Sequence, residues 1–172
     1  KETKQLANLP IFIVGDAAPD APIQHEAAHA GKQAVYNCLN YPDVKPIPAL
    51  IPLAIVFCHP EMAIVGKSFK QLEDQHVEFI GGFVSYENQG RALVLAEDSG
   101  GIEVYIAKKS GKLLGAELFC SQAEHLAHLL AWMIDADQDI YQILKKPFYH
   151  PTLEEGLRTA FKHARRQLDA LL

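Results

Sequence analysis

Four prolines fall within eleven residues of the stretch YPDVKPIPALIP, at Pro42, Pro46, Pro48 and Pro52. Proline has no N–H to donate and holds φ at about −65°, so neither a helix nor a central strand can run through such a stretch. The stretch reads as an extended crossing. It divides the chain into residues 1–40, a proline-rich linker at 41–52, and residues 53–172.

Beyond the linker the pattern changes. LAIVFC, MAIVG, HVEFIGGFVSYE, RALVLAE, IEVYIAKK and LLGAELFC are short β-rich segments. Asn88-Gln-Gly90, Ser99-Gly-Gly101 and Ser110-Gly111 punctuate three of the gaps, as hairpin turns would. A helix is expected from Ser121, where Ser121 and Glu124 have the spacing of a capping box. Ala123, Leu126, Ala127, Leu130, Met133 and Ile134 then recur at helical spacing. A last helix is expected from near Thr152. Strands followed by helices predict an α+β fold, an antiparallel sheet with helices packed on it.

Before the linker, LPIFIVGDAAPD predicts a short buried strand, Ile11 to Val14, ending in a Gly15-Asp16 turn. A helix follows from near Ile23, with a small-residue face made by Ala27, Ala28, Ala30 and Ala34. One strand and one helix bury too little apolar surface to fold alone. This part is therefore expected to be the strand–helix remnant of a larger α/β domain, and the chain the C-terminal piece of a longer protein.

Net charge is −5, which argues against nucleic acid or an anionic membrane as the main partner. No apolar run approaches the ~20 residues that span a bilayer. No secretory leader is visible at the start. Cys38, Cys58 and Cys120 are widely spaced, so a reducing, cytoplasmic setting is expected rather than a disulfide framework or a cysteine metal site. His25 with His29, and His125 with His128, have helical spacing that could serve a metal. No third ligand lies near either pair, so no metal is expected. Trp132, among apolar residues of a helix, is expected in the core. Asp16 either caps its turn or meets the hydroxyls of a nucleotide or sugar alcohol. The helix start after it offers backbone N–H groups to an electronegative atom.

The stretch FYHPTLEEGLR, residues 148–158, carries two readings. Thr152 to Glu155 is a T-x-x-E capping box, with His150 then only a loop residue. Alternatively, Glu155 accepts a bond from one ring nitrogen of His150 and leaves the other as a base. An unperturbed imidazole titrates near ~6.5 and a thiol near ~8.5, so proton exchange between them is feasible near neutrality.

Taken together, three stretches resemble the C-terminal part of the flavin-dependent pyridine nucleotide-disulfide oxidoreductases. IFIVGDA is similar to the family's second FAD-binding signature, FCHPEMAIVG to the opening of its dimerisation domain, and YHPTLEEGLR to its C-terminal histidine–glutamate motif. The leucine after His-Pro-Thr is closer to dihydrolipoamide dehydrogenases than to glutathione reductases. The resemblance implies that residues 1–40 end an FAD-binding domain and that residues 53–172 form a homodimerising interface domain. It implies His150 as the acid–base catalyst, Glu155 as the group that orients it, and a cis His150–Pro151 bond. It assigns Asp16 to the flavin ribitol, and Gln24 and His25 to the region that meets the flavin pyrimidine. The implied cofactors are FAD and, as co-substrate, NAD. The implied partners are a second copy and a dithiol or disulfide, free or on a lipoyl domain.

The sequence holds no GxGxxG loop and no cysteine pair separated by four residues. In the family those parts precede the dimerisation domain. The chain by itself is therefore expected to be inactive and not to retain FAD tightly. A glutathione reductase-like enzyme and a non-enzymatic dimerisation module are the rival readings.

Overall fold

The computed structural model describes residues 2–18, 22–46 and 48–171. They form two compact units, divided between Leu50 and Ile51.

In the first unit the backbone at 11–14 is not a strand. It makes one isolated antiparallel bridge, Gln5 with Phe12, flanked by bonds from Leu6 N to Ile11 O and from Ile13 N to Lys4 O, both 2.9 Å. A strand needs a ladder on at least one side, and among the described residues only the short 4–6 segment pairs with this one. A 3-10 turn, Gly15–Ala17, and helix α1, Gln24–Leu39, follow. Of the four alanines expected on one face of α1, Ala30 and Ala34 are buried, Ala27 is half-buried and Ala28 is exposed. Between them and the helix end lies buried Asn37. Its amide donates to Thr3 O (3.0 Å) and Lys45 O (2.9 Å), and its oxygen accepts from Lys45 N at 2.9 Å. One polar side chain thus fastens the segments on both sides of the helix to it. Residues 43–46 and 48–52 carry no helix or strand.

The second unit is a five-stranded antiparallel sheet. Its strands are β1 Leu53–Val56, β2 Glu61–Gly66, β3 Phe79–Ser85, β4 Gly101–Ala107 and β5 Leu113–Cys120, in the order β1-β2-β5-β4-β3. The helices in chain order are α2 Phe69–Asp74, α3 Gly90–Leu95, α4 Ala123–Asp135, α5 Ile140–Leu144 and α6 Glu155–Asp169. α4 packs on β1, β2 and β5, and α6 on β3 and β4. The core lies between sheet and helices. Val65, Ile102, Val104, Ile106, Leu126, Leu130, Leu157 and Phe161 are all buried there. The architecture is the α+β arrangement that the sequence predicts.

Several local expectations fail for physical reasons. RALVLAE folds as α3, not as a strand, because the Gln89 side chain accepts from Ala92 N at 2.7 Å and caps a helical turn. Asn88-Gln-Gly90 and Ser99-Gly-Gly101 therefore join this helix to β3 and β4. Of the three turn signals, only Ser110-Gly111 closes a hairpin, between β4 and β5. The Ser121–Glu124 box does not form. Ser121 Oγ donates to Glu97 Oε2 instead, and the Glu124 N–H is taken by Glu61 Oε2 of β2 at 2.9 Å. Trp132 is 64% exposed, since the buried stripe of α4 runs through Ala123, Leu126, Ala127, Leu130 and Ala131 and leaves Trp132 on the far side. α2 and α5 are closed by capping boxes, Ser68 with Gln71 and Asp139 with Gln142.

Candidate acid–base site

Helix α6 begins at Glu155, three residues later than the Thr152 start that the sequence suggests. Half of the expected box is present. The Glu155 carboxylate reaches back and accepts the Thr152 N–H at 3.2 Å. The Thr152 hydroxyl does not cap; it donates to Tyr149 O at 2.8 Å and tightens the loop before the helix. Within that loop the His150–Pro151 bond is cis.

The same carboxylate meets the histidine. His150 Nδ1 lies 3.0 Å from Glu155 Oε2 and 3.2 Å from Oε1. The imidazole side chain is 79% exposed, whereas that of Glu155 is 28% exposed. The Glu155 carboxyl is held below the ordinary carboxylate value, first by the Thr152 N–H; burial opposes this, and the bond and charge of His150 and the charge of Arg158 add to the lowering. An ionised carboxylate is an acceptor only, so it draws the imidazole proton to Nδ1. Nε2 is then the basic nitrogen. The arrangement can take a proton from a group presented to Nε2 and return it.

The loop is also gripped from a distance. Tyr86 is fully buried, and its hydroxyl donates to Leu153 O at 2.8 Å. The Gln89 amide nitrogen donates to Thr152 O at 2.6 Å. Gly156 lets the tyrosine approach, since a Cβ there would sit 2.5 Å from the Tyr86 hydroxyl. The sequence reading missed both residues. They lie 67 and 63 positions from the carbonyls they hold, and no local spacing signals such a contact.

In the other unit, Asp16 is exposed in the 3-10 turn, and Gln24 and His25 are exposed in the first turn of α1. No side chain caps that turn among the described residues, where Ile23 occupies the N-cap. A carboxylate acceptor and a helix start rich in N–H donors fit the hydroxyl and carbonyl groups of a flavin. His29 is engaged locally, within hydrogen-bond distance of Pro48 O (3.2 Å) and Gln33 Nε2 (2.8 Å). His128 Nδ1 lies 2.6 Å from Glu124 O, and His125 is 3.5 Å from the Glu124 carboxylate. Among the described residues no group of three or more His, Cys, Asp or Glu side chains is placed to hold a metal. No helix there is long and apolar enough to cross a membrane.

The dimerisation-domain model of the pyridine nucleotide-disulphide oxidoreductases matches residues 52–161. A dihydrolipoyl dehydrogenase of Mycoplasma genitalium is 26% identical over 163 residues, covering 95% of this chain and 36% of that protein. The dihydrolipoyl dehydrogenase of Geobacillus stearothermophilus is 31% identical over 145 residues, covering 84% of this chain and 30% of the relative. The chain thus spans about a third of the length of these relatives. Among solved structures, LpdA of Mycobacterium tuberculosis matches with a TM-score of 0.81 at 21% identity, over 97% of this chain and 36% of that one. The HOCl-induced flavoprotein disulfide reductase RclA of Escherichia coli matches with a TM-score of 0.76 at 18% identity, over 88% of this chain and 35% of that one. These two likenesses concern the fold.

Proposed function

The chain belongs to the pyridine nucleotide-disulphide oxidoreductase family, and we propose that it is the C-terminal part of a dihydrolipoyl dehydrogenase in which His150 and Glu155 are the acid–base pair. The observation that carries this reading is the contact between His150 Nδ1 and the Glu155 carboxylate, which leaves Nε2 exposed. Nε2 takes the proton of an attacking substrate thiol. The resulting thiolate attacks one sulfur of the enzyme's disulfide, that S–S bond breaks, and the departing sulfur leaves as a thiolate. The protonated imidazole gives its proton to the departing thiolate, and Nε2 then takes the proton of the second substrate thiol, which displaces the first sulfur and leaves that proton to it. The substrate becomes a disulfide and the enzyme a dithiol. Glu155 holds the imidazole in one tautomer and balances its charge while the proton is on the ring.

FAD, when bound, carries the electron pair from the enzyme dithiol to NAD. Asp16 would accept from the flavin ribitol hydroxyls, and the start of α1 at Gln24 and His25 would face the pyrimidine edge. Residues 1–40 would then close the FAD-binding domain, and residues 53–172 would bring two copies together as the interface domain. The two dihydrolipoyl dehydrogenases above favour dihydrolipoamide as the dithiol.

The test is made in the enzyme that contains this chain. His150→Gln is expected to lower dihydrolipoamide oxidation by roughly 10²-fold or more, the range for loss of a general acid–base group. Glu155→Gln is expected to cost less. Unchanged turnover in His150→Gln would overturn the assignment. Faster turnover with glutathione than with dihydrolipoamide would move the substrate to the glutathione reductase-like class.

A further inference from the structure

We propose that Tyr86 and Gln89 are positioning residues for His150, acting through the two carbonyls that precede the helix of Glu155. The inference rests on the acid–base reading of His150 and Glu155 and extends it to residues from another part of the chain.

The loop that bears His150 has few holds of its own. His150 is exposed, and so are Tyr149 and Pro151. Leu153 is the first buried side chain after it. The backbone between His150 and Glu155 is fixed at consecutive carbonyls, Thr152 O by Gln89 and Leu153 O by Tyr86. The Thr152 N–H is held by the Glu155 carboxylate that also meets His150. Rotation about the Thr152 backbone, which links the 151–152 peptide bearing that N–H to the 152–153 peptide whose carbonyl Gln89 holds, would swing the N–H away and release the carboxylate from its position beside Nδ1. Tyr86 and Gln89 oppose this rotation.

Both residues suit the task. Tyr86 is fully buried, its ring is packed against Gly156, and burial keeps its hydroxyl protonated and therefore a donor. Gln89 uses both ends of its amide. The oxygen caps α3 by accepting from Ala92 N at 2.7 Å, and the nitrogen donates to Thr152 O at 2.6 Å. One side chain thereby ties the start of α3 to the loop of His150. A residue needed only to cap α3 would not require the second end.

Two substitutions separate these roles. Gln89→Glu keeps an acceptor for the α3 cap but puts a carboxylate against the Thr152 carbonyl. Tyr86→Phe keeps the ring and removes only the hydroxyl. The readout is the ¹⁵N spectrum of the His150 imidazole in the chain, which reports which nitrogen bears the proton, with the amides of β4 and β5 as a reference for an intact fold. The wild type is expected to show the Nδ1–H tautomer, and Glu155→Ala to lose that preference. Gln89→Glu and Tyr86→Phe are expected to lose much of it with the β4 and β5 amides unchanged. In the whole enzyme each is expected to lower the rate of dithiol oxidation about tenfold, the effect of one lost hydrogen bond, with the dithiol KM unchanged. If Gln89→Glu unfolds, Tyr86→Phe decides alone. A wild-type preference that disappears in Glu155→Ala but persists in Tyr86→Phe would overturn the positioning role and leave the His150–Glu155 pair standing. A wild type without the Nδ1–H preference would overturn the pair itself, and the inference with it.

Discussion

Glu155 Oε2 serves two donors at once, His150 Nδ1 at 3.0 Å and Thr152 N at 3.2 Å. The bond that starts helix α6 and the bond that orients the imidazole share one oxygen. Capping and the proposed acid–base role are therefore not competing uses of this glutamate. Whatever fixes the loop for one also fixes it for the other.

The pH behaviour of this joint follows from the depressed Glu155 carboxyl. A group whose value is lower in the folded state stabilises that state above its unfolded value, 4.5 here, and the stabilisation is lost as pH falls through the lower folded value. The Thr152 amide resonance is expected to hold steady as pH drops past 4.5 and to shift only below it. A transition centred at or above 4.5 would show that the carboxylate is not held by these donors.

Gly156→Ala tests the close approach of Tyr86. The added Cβ would lie 2.5 Å from the hydroxyl of a fully buried ring. Overpacking of this kind costs about 1–3 kcal/mol. Thermal unfolding should register that loss, and the Tyr86–Leu153 bond should loosen with it. A melting temperature equal to that of the wild type would mean that the ring has room to move.

β3 is an edge strand, and α6 covers part of its outer edge. Phe83 N donates to His163 Nδ1 at 3.0 Å, and Gln167 Nε2 donates to Gly81 O at 2.7 Å. Open edges invite pairing with another chain. Replacing both His163 and Gln167 by alanine is expected to speed hydrogen exchange at the Phe83 amide several-fold and to promote aggregation at high concentration. Unchanged exchange would show that the two side chains do not guard the edge.

Self-association of the second unit is expected from the dimerisation-domain match over residues 52–161, through a two-fold interface. Sedimentation at tens of micromolar should show a dimer in exchange with monomer. Monomer alone at that concentration would count against the interface domain acting without the rest of the enzyme.

What could be read from the sequence was what local spacing encodes. His150 and Glu155 stand five apart around a proline, and the structure brings them together. β-rich runs announce all five strands of the sheet, but a sixth such run, RALVLAE, is a helix that depends on a cap from Gln89, which composition does not reveal. Distant partners were not readable. Glu61 satisfies the start of α4 from 63 residues away, displacing the expected Ser121 box. Tyr86 and Gln89 reach the loop of His150 across similar separations. Trp132 was misplaced because its neighbours are apolar on both sides, and only the exact rotation of α4 decides which of them face the sheet.

The most direct test separates the two half-reactions of the whole enzyme by rapid mixing. In His150→Gln, reduction of the flavin by dihydrolipoamide should slow by roughly 10²-fold or more, because the thiol has lost its proton acceptor. Transfer from the reduced flavin to NAD should keep its wild-type rate, since the proposed role of His150 lies in the dithiol step alone. Flavin reduction by the dithiol at the wild-type rate in His150→Gln would contradict the acid–base assignment on which the functional reading stands.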